Sequence, residues 1–250
     1  RLAPGVDPRV ILAAVPSSAD RVALEGYLAD VSRLSERLEG YRERAEALDA
    51  ALQAFDDAGI SPTKQTAKRW GVVTGSGMMT AEFEYLNRFQ QACAANGEVD
   101  WATLQAQTNE FYQLIDFGKT TSNTGLSLLI QQFGIEGYAT SVHTACASGG
   151  QALGLAMQVI RRGDADYMLA GGFDSMISPL GLSSFCLLGA LSTYNETPHT
   201  ASRPFDGTRN GFVLGEGAAF LILEEWDHAT KRGAHIYAEL AGEGNTLSSY

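Results

Sequence analysis

The sequence predicts an α/β fold whose sheet is covered on both faces, and three observations carry the prediction. Strand-like segments alternate with helical ones along most of the chain. The strands RWGVVTGSG and ADYMLAGGFDS read as continuous apolar runs, the pattern of strands buried on both sides. The stretch CASGGQALGLAMQVIRRG is apolar almost all round until Arg161, and a helix of that kind belongs in the middle of a protein. With 250 residues, 45% of them hydrophobic, the chain can bury a sizeable core as one large domain or two small ones.

Taken in order, residues 1–40 are irregular, then charged and helical in flavour. SERLEGYRERAEALDAALQAFDDAGI predicts an amphipathic helix, with Leu38, Tyr41, Ala45, Leu48, Leu52 and Phe55 near helical spacing and Gly59 as the stop. RWGVVTGSG follows as a short strand ending in glycines. Residues 80–115 mix aromatics, Gln and Asn in helical runs. TSNTGLSLLIQQFGIEG predicts a helix closing at a glycine, YATSVHTA a strand, and ADYMLAGGFDS another. GFVLGEGAAFLILEEW reads as two β segments broken by glycines, DHATKRGA as a short helix, and IYAELAG as a final strand.

Bulk properties exclude several functions. A formal net charge of −11 argues against general nucleic-acid binding and against an anionic membrane surface, both of which favour a positive face. Cys93, Cys146 and Cys186 are too irregularly spaced for a disulfide framework or a metal site, so a reducing compartment is expected. No apolar run reaches transmembrane length, and VILAAVP is too short and wrongly flanked for a secretory signal. These features predict a soluble, cytoplasmic protein.

The chemistry centres on SVHTACASGG. A strand that delivers Cys146 to the first turn of a buried helix sets the thiol against free backbone amides and a helix dipole that favour the thiolate. The same amides, that of Cys146 among them, can form an oxyanion hole. Ala147, Ser148, Gly149 and Gly150 keep the approach open. A buried structural cysteine is the competing reading of the local pattern, since free Cys is among the most buried residue types.

TACASG with its following helix, then GDADYMLAGG and SRPFDGTRNGFVLGEGAAFLILEEWDHATKRGAHIYAEL, resembles the β-ketoacyl-acyl-carrier-protein synthases of the thiolase-like superfamily. The resemblance runs from about Tyr41 to the end and is strongest from Thr140 to Leu240, closest to elongating synthases of type II fatty-acid and polyketide systems. It implies a layered α/β/α thiolase-like fold, with residues 41–250 forming mainly the N-terminal half of a pseudo-duplicated ketosynthase domain. It also implies that Cys146 is the acyl-accepting nucleophile of a decarboxylative Claisen condensation with malonyl-carrier protein. The implied partner is an acyl-carrier protein bearing phosphopantetheine, with no metal and no dissociable cofactor. Homodimeric or pseudo-dimeric assembly through a strand edge follows from the same resemblance.

The family's two catalytic histidines and supporting lysine come from its second half, beyond GEGNTLSSY, so a ketosynthase C-terminal half or a complementing subunit is expected. The family's opening strand and glycine-rich turn are not recognisable, RVILAAVP being the nearest approach. Of the four histidines, His143 sits three residues before Cys146. Alternation along one strand sends the two side chains to opposite faces and makes His143 a satisfied core residue. His199, His228 and His235 read as solvent-facing or supporting, and no catalytic base is assigned.

Smaller features complete the reading. By resemblance, Arg203 and Asp206 hold a turn near the active-site floor, and Asn210 stands where many members have Asp. Gly215 and Gly217 are expected to permit close backbone approach near the nucleophile. Phe185 resembles a position lining the acyl channel, with ordinary core packing as the alternative. Cys186 is expected to be buried and inert; Met78 and Met79 after GSG read as core packing, with an adaptable apolar wall facing an acyl chain as the alternative. Arg33, Arg37, Arg42 and Arg44 are candidates for docking an acidic carrier protein, although the interleaved Glu36, Glu39, Glu43 and Glu46 equally fit a solvated salt-bridged face. Two other functions stay open: a non-condensing acyltransferase or thiolase-type enzyme, and a non-catalytic subunit shaping a partner synthase's tunnel.

Overall fold

The computed structural model describes residues 42–77, 94–95, 98–102, 105, 123–177 and 179–247. The 1–40 segment, Arg33, Arg37, Met78, Met79 and Cys93 lie outside the described residues, as do the side chains of Arg42 and Arg44.

Helix α1 spans Arg42–Ala58 and buries Ala47, Leu48, Ala51 and Phe55, one stripe at helical spacing. Gly59 ends it with φ +62°, its amide donating to Phe55 O at 3.0 Å and Asp56 O at 3.2 Å. Strand β1, Trp70–Gly75, is buried at every position. Helix α2, Asn123–Phe133, closes at Gly134 with φ +64°. Strand β4, Ala139–Val142, leads through a short 3-10 turn, Ala145–Ala147, into helix α3, Ser148–Arg161. Strand β5, Tyr167–Ser175, helix α4, Pro179–Leu187, strand β6, Glu216–Glu224, and helix α5, Trp226–Lys231, complete the order. A two-residue pairing of β2, Ala94–Ala95, with β3, Glu98–Val99, stands apart.

The main sheet has the order β4-β1-β5-β6. β1 runs parallel to both neighbours, with Val72 beside Ala139 on one side and Leu169 on the other, while β6 lies antiparallel on β5. Side chains alternate across the sheet. Val72, Leu169, Tyr167, Phe173 and Phe220 join α1 and α2 in one core. Val73, Met168 and Ala170 join Ala152, Ala156 and Val159 of α3 in the other. The sheet is therefore covered on both faces, the α/β/α layering expected from the apolar strand runs. Aromatic rings fill the first core: Trp70 stacks on Tyr167 at 4.6 Å between centroids, and Phe55 packs on Trp70 at 5.3 Å.

Three local expectations are corrected. GFVLGEGAAFLILEEW holds one strand, not two: its first part makes only an isolated bridge, Phe212 with Leu191. IYAELAG is not a strand, because among the described residues it finds no ladder to join and its residues stay largely exposed. Helix α3 is not enclosed all round: Ala152, Ala156 and Val159 are buried on the sheet, while Leu153, Leu155 and Ile160 on its other flanks are only half-buried.

Candidate functional site

At the C-terminal ends of the parallel strands β1 and β4, the chain folds tightly around Cys146. β4 ends at Val142, and Thr144 then leaves the extended region. Ala145 takes φ +52°, a left-handed conformation that L-residues with a Cβ seldom adopt. Cys146 follows and is exposed. The first turn of α3 carries no side-chain cap and no acidic residue, so nothing on the helix itself offsets the positive end of its dipole.

Glycines bring that helix end onto the sheet. A Cβ on Gly75 of β1 would stand 2.4 Å from the Ser148 carbonyl carbon and 2.5 Å from the Gly149 nitrogen. A Cβ on Gly172 of β5 would lie 3.2 Å from Gly149 Cα. These two strand glycines, which the sequence reading passed over, set the depth at which α3 begins. Gly215 and Gly217, expected to allow such an approach, do not: a Cβ on either would meet nothing. Close approach belongs to Gly75 at the end of β1 and Gly172 within β5, not to the glycine-richest motif.

Ser148 is buried and linked to three backbone groups. The Thr144 amide donates to its Oγ at 2.8 Å, and the Oγ donates to Ala145 O at 2.7 Å and towards Ser76 O at 3.1 Å. His143 is not a core residue. The strand stops before it, so alternation no longer governs its side chain, which is exposed with Nδ1 3.2 Å from Ser76 Oγ. Beside this turn, the Asp174 carboxylate accepts from the Gly77 amide at 2.9 Å, and burial pushes it above the ordinary carboxylate range.

The other histidines are placed apart from one another. His228 Nδ1 is 2.8 Å from the Tyr167 hydroxyl, His235 packs edge-on against Tyr237, and His199 lies in the exposed Pro198–Thr200 turn. Cys186, expected to be buried, is exposed on α4, as are Leu182 and Leu187 of the same helix. Phe185 on the same helix is half-buried and meets Phe212 edge-to-face at 5.3 Å between centroids.

Arg203 and Asp206 do hold a turn. The Arg203 guanidinium donates to Thr200 O and Thr208 O, and Asp206 accepts from the Thr208 amide and hydroxyl at 2.7 Å each, which lowers its pKa. Asn210 accepts from Ser192 Oγ at 2.7 Å. Beside this loop, Phe205, at φ +67° and 98% exposed, overhangs an open groove also lined by Arg203, Arg209 and Phe212. Among the described residues, no helix is long and apolar enough to cross a membrane, and no group of three His, Cys, Asp or Glu side chains is gathered to hold a metal ion.

Comparisons with known proteins agree with this architecture. The family profile described as "Beta-ketoacyl synthase, N-terminal domain" matches residues 20–229. The 3-oxoacyl-[acyl-carrier-protein] synthase 2 of Vibrio cholerae is 37% identical over 201 residues, covering 80% of this chain and 45% of its own length. A structure of a type II polyketide synthase acyl-carrier protein in complex with its ketosynthase superposes with a TM-score of 0.68 at 34% identity, covering 82% of this chain and 49% of that one. A β-ketoacyl synthase from Burkholderia phymatum gives 0.61 at 32% identity, covering 78% and 44%. The chain thus spans about half the length of the relatives it matches. Its layered sheet, the turn that presents Cys146 and the extent of these matches place this chain in the β-ketoacyl synthase family, as a carrier of that family's N-terminal domain.

Proposed function

We propose that this chain is the nucleophile-bearing half of a β-ketoacyl-acyl-carrier-protein synthase, with residues 41–250 as the N-terminal half of the ketosynthase domain. In this reading Cys146 thiolate attacks the carbonyl carbon of an acyl chain held as a thioester on carrier-protein phosphopantetheine. A new C–S bond forms, the old one breaks, and the phosphopantetheine thiol leaves with a proton. Malonyl-carrier protein then loses carbon dioxide, and the resulting carbanion attacks the Cys146 thioester. A C–C bond forms, Cys146 is released, and a 3-ketoacyl chain two carbons longer remains on the carrier. The chain's backbone amides at the start of α3 supply oxyanion stabilisation for the two tetrahedral steps.

The single observation that supports this most is the exposure of Cys146 on a left-handed turn at the uncapped end of α3. No resident cofactor or metal enters the reading, because the phosphopantetheine arrives on the partner. The catalytic histidines are assigned to a ketosynthase C-terminal half or complementing subunit, since the four in this chain are scattered among separate contacts. β4 is one of the two outer strands of the sheet, and its edge, unpaired among the described residues, is the one assigned to homodimeric or pseudo-dimeric assembly.

The test is acylation. Acyl-carrier protein is incubated with the assembled enzyme, and the Cys146 peptide is weighed after proteolysis. A thioester at Cys146, followed by carbon dioxide release and a two-carbon-longer product on adding malonyl-carrier protein, is expected. Acylation at Cys146 with no carbon dioxide released would give the reaction to a non-condensing acyltransferase. Condensation that survives Cys146→Ala would make the chain a non-catalytic subunit.

A further inference from the structure

Ser148 carries a buried hydroxyl that the proposed chemistry does not use. That one Oγ ties the Thr144 amide, the Ala145 carbonyl and the Ser76 carbonyl together, and these three groups flank the left-handed residue that precedes Cys146. Ala145 has no side chain able to hold this conformation for itself, and Thr144 Oγ1 is turned away to Gln151. Ser76 directly follows β1 and its amide donates to Val142 O of β4 at 3.2 Å, so the hydroxyl anchors the turn beside the end of β1.

We infer that Ser148 is a positioning residue for Cys146: its hydroxyl pins the left-handed turn to the end of β1 and so fixes where the thiol sits over the first turn of α3. The inference rests on the reading of Cys146 as the acyl acceptor for its catalytic meaning. A serine at this position supplies both an acceptor and a donor within one helical turn of the thiol. Alanine supplies neither: the Thr144 amide loses its acceptor, and the Ala145 carbonyl keeps only the backbone amide of residue 148.

The experiment uses the full chain and the two cysteines exposed among its described residues, with Cys186 as an internal reference to Cys146. Iodoacetamide alkylation of Cys146 and Cys186 is followed by peptide mass spectrometry, and the ratio of the two rates is compared between variants of unchanged far-UV circular dichroism. Ser148→Ala is expected to lower the Cys146/Cys186 ratio about tenfold, since small displacements of a reacting group carry large rate effects. Ser148→Thr, which keeps the hydroxyl, is expected to restore most of it. An unchanged ratio in Ser148→Ala, or equal losses in the alanine and threonine variants, overturns the inference. Hydrogen exchange of the unsubstituted protein gives a check that no folding failure can spoil: the Thr144 amide is expected to be protected although its residue is exposed, and exchange at the rate of a free loop amide overturns the inference. Failure of the unsubstituted Cys146 to take an acyl group would sink the nucleophile reading separately, because alkylation reports the thiol's placement without any acyl donor.

Discussion

Gly75 and Gly149 meet so closely that a methyl group on the first would stand 2.5 Å from the nitrogen of the second. The obstacle is backbone and cannot rotate away, so Gly75→Ala must push the start of α3 off the sheet. A destabilisation of about 1–3 kcal/mol is expected, read as a lower urea midpoint with an unchanged slope. Gly150→Ala, one residue further into the same helix, meets nothing within 4 Å and should instead stabilise by about 0.5 kcal/mol through helix propensity. Equal effects at the two sites would refute the close approach.

The left-handed Ala145 makes a prediction of opposite sign. A residue with a Cβ in this region costs roughly 1–2 kcal/mol, whereas glycine occupies it freely. Ala145→Gly is expected to raise stability by about 0.5–1 kcal/mol after the greater entropy of the unfolded glycine chain is set against the relief. A fall in the urea midpoint would show that the turn is not strained in this way.

Two carboxylates should respond to pH in opposite senses. Asp166 accepts a hydrogen bond from Arg69 Nε at 2.9 Å, and this partner holds its carboxyl below the ordinary value. With the folded pKa depressed, its stabilisation is present above the unfolded value and is lost as pH falls through the folded one. Asp166→Asn should therefore be less stable than the parent at neutral pH, and the gap should close below about pH 4. Asp174 is raised by burial, only partly offset by the Gly77 amide, so its ionisation costs stability as pH climbs from about 4 towards neutral. Asp174→Asn, which keeps an acceptor for Gly77, should gain on the parent over that range. Urea midpoints measured as a function of pH, from acid to neutral, check both signs.

Glu224 is nearly enclosed, with a side chain 6% exposed, and it depends on Arg232, whose Nε and Nη2 reach it at 2.9 and 2.8 Å. The same guanidinium donates to Ala58 O at the end of α1. Arg232→Met leaves a buried carboxylate without its cation and should cost about 2 kcal/mol, a fall of roughly 5 °C in Tm by calorimetry. Adding Glu224→Leu should recover part of the loss, because replacing both partners removes the unpaired charge. A double variant no more stable than the single one would refute this account.

What the sequence made legible followed from patterns that tertiary contacts reinforce. The spacing of Leu48, Leu52 and Phe55 and the stop at Gly59 gave α1, because Leu48 and Phe55 lie in the core beneath the sheet and Leu52 packs against it. The unbroken apolar run of β1 gave a central strand, because burial on both faces leaves no reason for alternation. His143 was misplaced because β4 ends at Val142, one residue earlier than the alternation argument required, and nothing in SVHTA marks that end. The final strand failed for a different reason: IYAELAG has strand composition, but pairing depends on a neighbour and not on propensity alone. Cys146 was found from its strand-to-helix setting, whereas the hydroxyl network of Ser148 needed coordinates, since serine two residues after a cysteine says nothing about which carbonyls it will reach.

The register of β1 also has a temporal side. Its partners on either flank lie far along the chain: Gly75 pairs with Val142 and then with Gly172, roughly a hundred residues further on. On a ribosome adding about 5–20 residues per second, the strand that ends up most deeply enclosed therefore emerges several seconds before β5 exists to cover it. Until then WGVVTG offers both of its edges to any passing strand, so newborn chains should lean on chaperones over that interval more than the finished molecule ever does.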